Sequence, residues 1–115
     1  MRQIYLAFKN NTEFKIFFYL VNQKEPIERA IIAETLNIPR TTIYDNLVNL
    51  MNRKYYYRLL KVKSVNYVKK KKLYIGIGRP KITYYVPEKL RYLLTYEAIT
   101  QITVNGKKLN LKQDD

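Results

Sequence analysis

The chain has 115 residues, 47% of them hydrophobic, with twelve Tyr, four Phe and no Trp: one domain's worth of chain with a modest core. It contains no Cys and no His, which excludes disulfides, thiol nucleophiles, thiolate metal sites, an imidazole base and the commonest metal ligand. Twenty-two Lys and Arg against nine acids give a formal charge of +13, which points to a polyanionic partner.

The start, Met1-Arg2-Gln3-Ile4-Tyr5, lacks the apolar core and small-residue cleavage site of a signal peptide. The longest apolar run, 16–21, is too short to cross a bilayer, so an intracellular protein with no membrane partner is expected. Residues 4–8 form a short apolar segment, either a helix turn or a strand. Asn10 followed by Glu13 has capping-box spacing, so a first helix is expected over 11–21. Its stripe of Phe14, Phe17, Phe18 and Val21 is joined by Ile16, Tyr19 and Leu20, leaving little polar face. A helix apolar nearly all round is covered on more than one side, here by the N-terminal segment or by another subunit.

Residues 22–26 read as a turn. A second helix over 28–36 follows, with Ile27 stapled onto Ile32 and an inner face of Ile31, Ile32 and Leu36. Asn37 tolerates the left-handed conformation that ends a helix, Ile38 returns to the core, and Pro39 directs the chain into the next helix. In that helix Ile43, Leu47 and Leu50 recur at i, i+4 and i+7 and face inward. Thr41, Asp45, Val48 and Asn52 point the opposite way, with Tyr44 and Asn49 on the flanks. An outer face this short, polar and weakly charged suits contact with base edges. Helix, three-residue turn, helix is the layout of a helix-turn-helix unit.

The run Ile32-Ala33-Glu34-Thr35-Leu36-Asn37-Ile38-Pro39-Arg40-Thr41-Thr42-Ile43-Tyr44-Asp45-Asn46-Leu47-Val48-Asn49-Leu50 resembles the IA-x-x-L-G-I-P-R-S-T-V-Y-x-x-L-x-x-L signature of winged helix-turn-helix transcriptional regulators. Gly78-Arg79-Pro80-Lys81-Ile82-Thr83-Tyr84-Tyr85-Val86 resembles their GRP-x-x-x-YY wing. The resemblance spans roughly residues 10–94. It implies an α+β winged helix-turn-helix fold: a three-helix core, a β wing with an elongated insert, a C-terminal helix and a hairpin. One domain over 1–115 is expected, with its core at 10–94 and an extension at 95–115. The resemblance places Arg40, Thr41, Thr42, Tyr44, Asp45 and Asn49 on the recognition helix, and Arg79 and Lys81 on the wing. Two departures stand out. Asn37 replaces the usual turn glycine, and some two dozen residues separate the recognition helix from Gly78, where about ten are usual.

Within that insert, residues 61–68 alternate with a parity slip at Ser64-Val65, suggesting a bulged strand. Leu73, Ile75 and Ile77 alternate as a second strand, leaving Lys69, Lys70, Lys71 and Lys72 as an exposed turn. Tyr55, Tyr56 and Tyr57 read either as a stacking platform for single strands or as core, with at least two of the three expected inside. Beyond the wing, Ile82, Tyr84 and Val86 should point inward and Thr83 and Tyr85 outward. A final helix is expected over 88–99, with Leu90, Leu93, Leu94 and Ala98 on its apolar face. Asn105-Gly106 between alternating residues is a strong hairpin signal.

No acid occurs between Asn46 and Pro87, whereas Arg53, Lys54, Arg58, Lys61, Lys63, Lys69, Lys70, Lys71, Lys72, Arg79 and Lys81 all lie there, half of the positive charge. Neutralising phosphates releases condensed counterions, so nucleic acid is the expected partner. Arg40 can reach a guanine edge or a phosphate. Thr41, Thr42 and Tyr44 can touch phosphate or a thymine methyl, and Asn49 can pair with adenine. Thr42 reads equally as a local cap. Asp45 either accepts from a cytosine amino group or orients Arg40 or Arg53. Arg79 would enter the minor groove or clasp the backbone, and the lysine run and Arg53 would meet phosphate.

The acids are scattered and Gly76-Ile77-Gly78 is no phosphate loop, so no catalytic residue, cofactor or metal is expected. The reading is a sequence-specific duplex-DNA binder acting as a transcriptional regulator, as a homodimer. Its rivals are a sequence-indifferent nucleic-acid binder, chromatin-like or RNA-directed, and a protein-interaction module on the same fold. The Lys-, Ile- and Tyr-rich composition is compatible with a thermophilic archaeal or viral source.

Overall fold

The computed structural model describes residues 3–57, 63–74, 76, 78–96 and 99–109. The N-terminal segment is a strand, β1 (Gln3–Phe8), and α1 (Asn11–Val21) has the expected bounds. Asn10 Oδ1 accepts from the Glu13 N–H at 2.8 Å, but the Glu13 carboxylate reaches past the cap to the Lys9 N–H at 3.0 Å. The capping box is therefore shifted by one residue, because Glu13 is fully buried and paired with Arg53.

The short strand β2 (Ile27–Glu28) pairs with the wing, so α2 (Arg29–Leu36) starts one residue later than expected. Ile32 and Ala33 form its buried face; Ile31 stands 45% exposed, a correction to the expected inner face. Asn37 closes the helix at φ 56°, ψ 49°. The Ile38 N–H donates to Ala33 O at 3.0 Å and the Asn37 N–H to Glu34 O at 3.3 Å, the paired bonds of a Schellman cap. α3 (Arg40–Asn52) then packs Ile43, Leu47 and Leu50 against α1 and α2 with none of their surface exposed.

The insert is a two-stranded hairpin of β3 (Lys54–Tyr57) and β4 (Lys63–Asn66). The lysine run is a strand and not a turn: β5 (Lys69–Leu73) pairs along its length with β6 (Lys81–Tyr85), and β2 joins on the far side of β6. Between β4 and β5 the chain bends at Tyr67, where Tyr67 and Val68 are both buried. Of the second strand expected at 73–77, Leu73 closes β5, while Ile75 and Ile77 lie outside the described residues, as do Lys61 and Val62. On β6, Thr83 is buried as well as Tyr84; its hydroxyl donates to Lys71 O at 2.8 Å, which makes that burial tolerable. α4 (Glu88–Tyr96) buries Leu90 and Leu93 and ends earlier than expected, since Ile99 begins β7 (Ile99–Val104). Ala98 lies outside the described residues.

β7 turns into β8 (Lys107–Leu109) through Asn105 and Gly106, both at positive φ as a type I′ turn requires. β1 lies parallel to β7, from Gln3 opposite Ile99 to Phe8 opposite Val104. Ile4, Leu6 and Phe8 join Ile102 and Val104 in the same hydrophobic cluster as the three helices. The Phe8 ring meets Phe14, Phe17 and Tyr67 at centroid distances of 5.6, 5.2 and 5.6 Å. The second apolar side of α1 is thus covered from within the chain.

Arg53, just past α3, bonds the Glu13 carboxylate and, at 3.0 Å, Ala7 O on β1. Glu13 has no exposed side-chain surface, and its Oε2 has no hydrogen-bond partner among the described residues. Leaving that carboxylate without its counter-charge is a large penalty. Arg53→Met should lower unfolding stability by about 3 kcal/mol, and adding Glu13→Gln should recover part of the loss. Denaturant unfolding of the two single variants and the double variant checks this; strictly additive losses would mean the pair is not coupled.

Candidate nucleic-acid interface

α3 presents its predicted outer face. Arg40, Thr41, Asp45 and Asn52 are exposed, Tyr44 is 43% exposed, and Thr42, Val48 and Asn49 are half-buried. Asn46 is turned inward, its Nδ2 donating to Thr42 O at 2.7 Å. Pro39 occupies the cap position and no side chain caps the helix, so Thr42 does not take the local capping role. The free N–H groups of the first turn, with Arg40 beside them, face outward as a favourable setting for an anion. Among the described residues Asp45 forms no ion pair with Arg40 or Arg53.

Beside α3 runs a cleft of about 400 Å³, lined by Glu28 and Arg29 at the start of α2, Arg40, Tyr44 and Met51 from α3, and Lys70 and Tyr84 from the wing sheet, with Glu28 its one acid among the described residues. The Arg29 guanidinium lies 5.1 Å from the Tyr44 ring centroid, a cation–π contact that holds both side chains at the mouth. Burial pushes the Tyr84 phenol above its ordinary pKa; Arg29 opposes the shift and Tyr44 adds to it. Arg29 was missed by the sequence reading. The signal was there: a cation at the first position of a helix opposes the helix dipole and calls for a reason.

The strand geometry divides the lysine run. Lys70 and Lys72 stand opposite Tyr84 and Ile82, on the face that borders the cleft, while Lys69 and Lys71 stand opposite Tyr85 and Thr83 on the other face. All four are exposed. Arg79 is exposed in the loop between β5 and β6, where Gly76 (φ 68°) and Gly78 (φ 131°) take left-handed backbone conformations that side chains resist. No atom lies within 4 Å of a Cβ built on either glycine, so backbone conformation, not space, requires them. Lys81 pairs with Glu28 at 3.5 Å across the sheet. Arg53 is the expected phosphate ligand that the structure places elsewhere: its guanidinium is committed to Glu13 and Ala7.

Among the described residues no three His, Cys, Asp or Glu side chains cluster as a metal site, and no helix is long and apolar enough to cross a membrane. A polar helix carried on a three-helix core and flanked by a cationic β wing defines a winged helix-turn-helix protein. The family model described as "Sugar-specific transcriptional regulator TrmB" matches residues 10–74, more than half of the chain. The chain belongs to that family of DNA-binding transcriptional regulators. No curated protein and no solved structure matches it.

Tyr67 and Tyr84 both ionise above the ordinary 10.0 in the folded state, in each case chiefly because burial disfavours the phenolate. The unfolded chain releases these protons first, so the stability they carry is complete below pH 10 and is lost as pH rises through the folded pKa values. Spectrophotometric titration should show a late tyrosinate step coinciding with alkaline unfolding, and Tyr84→Phe should shrink it. A titration in which every tyrosine ionises near pH 10 with the fold intact would contradict this.

Proposed function

We propose that this regulator reads a specific sequence in double-stranded DNA, with the outer face of α3 in the major groove and the wing on the backbone and minor groove. The observation that carries the reading is the cleft, where cations from three separate elements, Arg29, Arg40 and Lys70, converge beside a helix face that carries little charge itself. Separation of the two suits a division of labour in which phosphate contacts position and base contacts specify.

In this reading Arg29, Lys70 and Lys72 hold phosphates and release counterions, as does Lys81 once its exposed contact with Glu28 gives way. Lys69 and Lys71, on the opposite face of β5, add to the field more than to contacts. Thr41, Thr42 and Tyr44 meet phosphate or a thymine methyl, and Arg40 takes a guanine edge or a phosphate. Asn49 is the adenine reader. With Arg53 held by Glu13, Asp45 is left to accept from a cytosine amino group or to align Arg40. Arg79, at the wing tip, enters the minor groove.

A second copy reading an inverted repeat, with half-sites about 34–36 Å apart, belongs to the same proposal but has lost its first motive. The apolar surfaces of α1, the N-terminal segment and the tail pack on one another within one chain. Sedimentation of the complex gives the stoichiometry directly: two chains per site supports the dimer and one removes it.

Selection of bound duplexes from a random pool, followed by competition at fixed salt, tests the main reading. The selected site should outcompete random duplex by about 10³ or more. Asn49→Ala should cost about 1–3 kcal/mol on the selected site and little on random DNA, whereas Lys72→Ala, at a phosphate contact, should weaken both alike. A ratio near one would mean a sequence-indifferent binder. Unchanged binding after Arg40→Ala with Thr41→Ala would leave the fold serving a protein partner.

A further inference from the structure

The hairpin of β3 and β4 has a built inner face and an outer face with no function so far. Opposite residues of an antiparallel pair share a face, so Tyr55 and Val65 look one way, and Lys54, Tyr56, Ser64 and Asn66 the other. Val65 is buried and Tyr55 packs against the core, which places only one of Tyr55 and Tyr56 inside. The Tyr57 side chain lies outside the described residues. Lys54 and Ser64 are exposed, and Tyr56 is 61% exposed. Among the described residues none of these three side chains has a hydrogen-bond or ion-pair partner.

The base of the hairpin is fixed to the recognition helix. Asn66 Nδ2 donates to Met51 O in the last turn of α3 at 2.6 Å, and the Tyr67 N–H donates to Arg53 O at 2.9 Å. The Tyr67 hydroxyl accepts from the Ala7 N–H at 3.1 Å, which secures the returning strand to β1. Asn66 belongs to the outer face, so that face continues directly from the C-terminal end of α3, beyond the end that carries Arg40. The hairpin therefore moves with α3.

We infer that β3–β4 is a second wing, whose outer face of Lys54, Tyr56 and Ser64 rests on the phosphate backbone of the same duplex, past the C-terminal end of the recognition helix. The inference rests on the duplex-binding reading above. The chemistry fits phosphate: an ammonium and two hydroxyls, all able to donate, on a segment of chain without an acid from Asn46 to Pro87. Lys54 and Tyr56 sit two residues apart on one strand, about 7 Å. Phosphates recur about every 3.4 Å of axis on one DNA strand, so both side chains can be engaged together. A single strand would instead need a row of stacking rings, and this face displays one, with Tyr55 turned inward.

The test compares the wild type with Lys54→Gln/Tyr56→Ala and with Lys54→Glu, all exposed changes whose thermal melts should match the wild type. On the selected duplex the double variant should bind about tenfold more weakly, and its plot of log affinity against log salt should be shallower by about 1, for the one cation removed. The loss should be equal on random duplex, since no base is read. Hydroxyl-radical footprints should shorten by about 3–4 base pairs on one side of each bound chain's half-site, the span of a four-residue strand. Unchanged affinity, slope and footprint in both variants overturn the second wing while leaving the α3 reading intact. A loss seen only with single-stranded oligonucleotides or with an acidic protein overturns it as well. Failure of the wild type to bind duplex sinks the underlying reading instead.

Discussion

The pairing of Glu13 with Arg53 ties the end of α3 to the rest of the molecule. A carboxylate with no exposed surface, set in a helix whose later part, residues 16–21, is entirely apolar, is tolerable only with a fixed counter-charge. That counter-charge comes from the residue just past α3, which at the same time bonds a carbonyl of β1. Three elements meet at one guanidinium: the first helix, the end of the third, and the N-terminal strand. If α3 reads a groove as proposed, its side chains must be held to within about half an ångström, and a fixed post at its C-terminal end serves that need. Had Arg53 reached for phosphate, Glu13 would be left buried and alone.

Around that post the positive charge is sorted by secondary structure and not merely massed. A strand sends successive side chains to opposite faces, so a block of four lysines becomes two pairs with different surroundings. Lys70 shares its face with Tyr84 and looks into the space beside α3, where Arg29 arrives from another helix. The outer face of the helix between these cations carries amides, hydroxyls, one acid and, at its start, Arg40. Under the proposed function, a weakly charged surface bordered by long-range charge draws the duplex in without fixing which bases are met.

What could be read from the chain alone was what local chemistry decides. Asn10 and Glu13 mark the start of α1, Asn37 the end of α2, and Asn105-Gly106 the last turn, each through bonds within a few residues. The stripe of Ile43, Leu47 and Leu50 identified both the inner side of α3 and, by subtraction, its outer side. Misreadings arose where a distant partner decides. Four consecutive lysines carry the local mark of an exposed turn, yet backbone pairing with β6 makes them a strand. Ile31 looked like core because its neighbours are, but α2 is too short to bury more than one narrow stripe. Arg53 looked like a phosphate ligand because its partner, Glu13, lies 40 residues away in the chain. Arg29 joined the site for the same kind of reason, through a ring fifteen positions later.

The parallel union of β1 with β7 has a consequence for the birth of the protein. Gln3 meets a partner, Ile99, that is made 96 residues later. At about 5–20 residues per second of synthesis, the first strand waits some 5–20 s before its mate leaves the ribosome. During that interval an uncharged, apolar strand stands open on both edges, and the helices and wing must assemble without the sheet that later braces them. Until β7 is made, β1 lacks the strand it pairs with in the folded molecule.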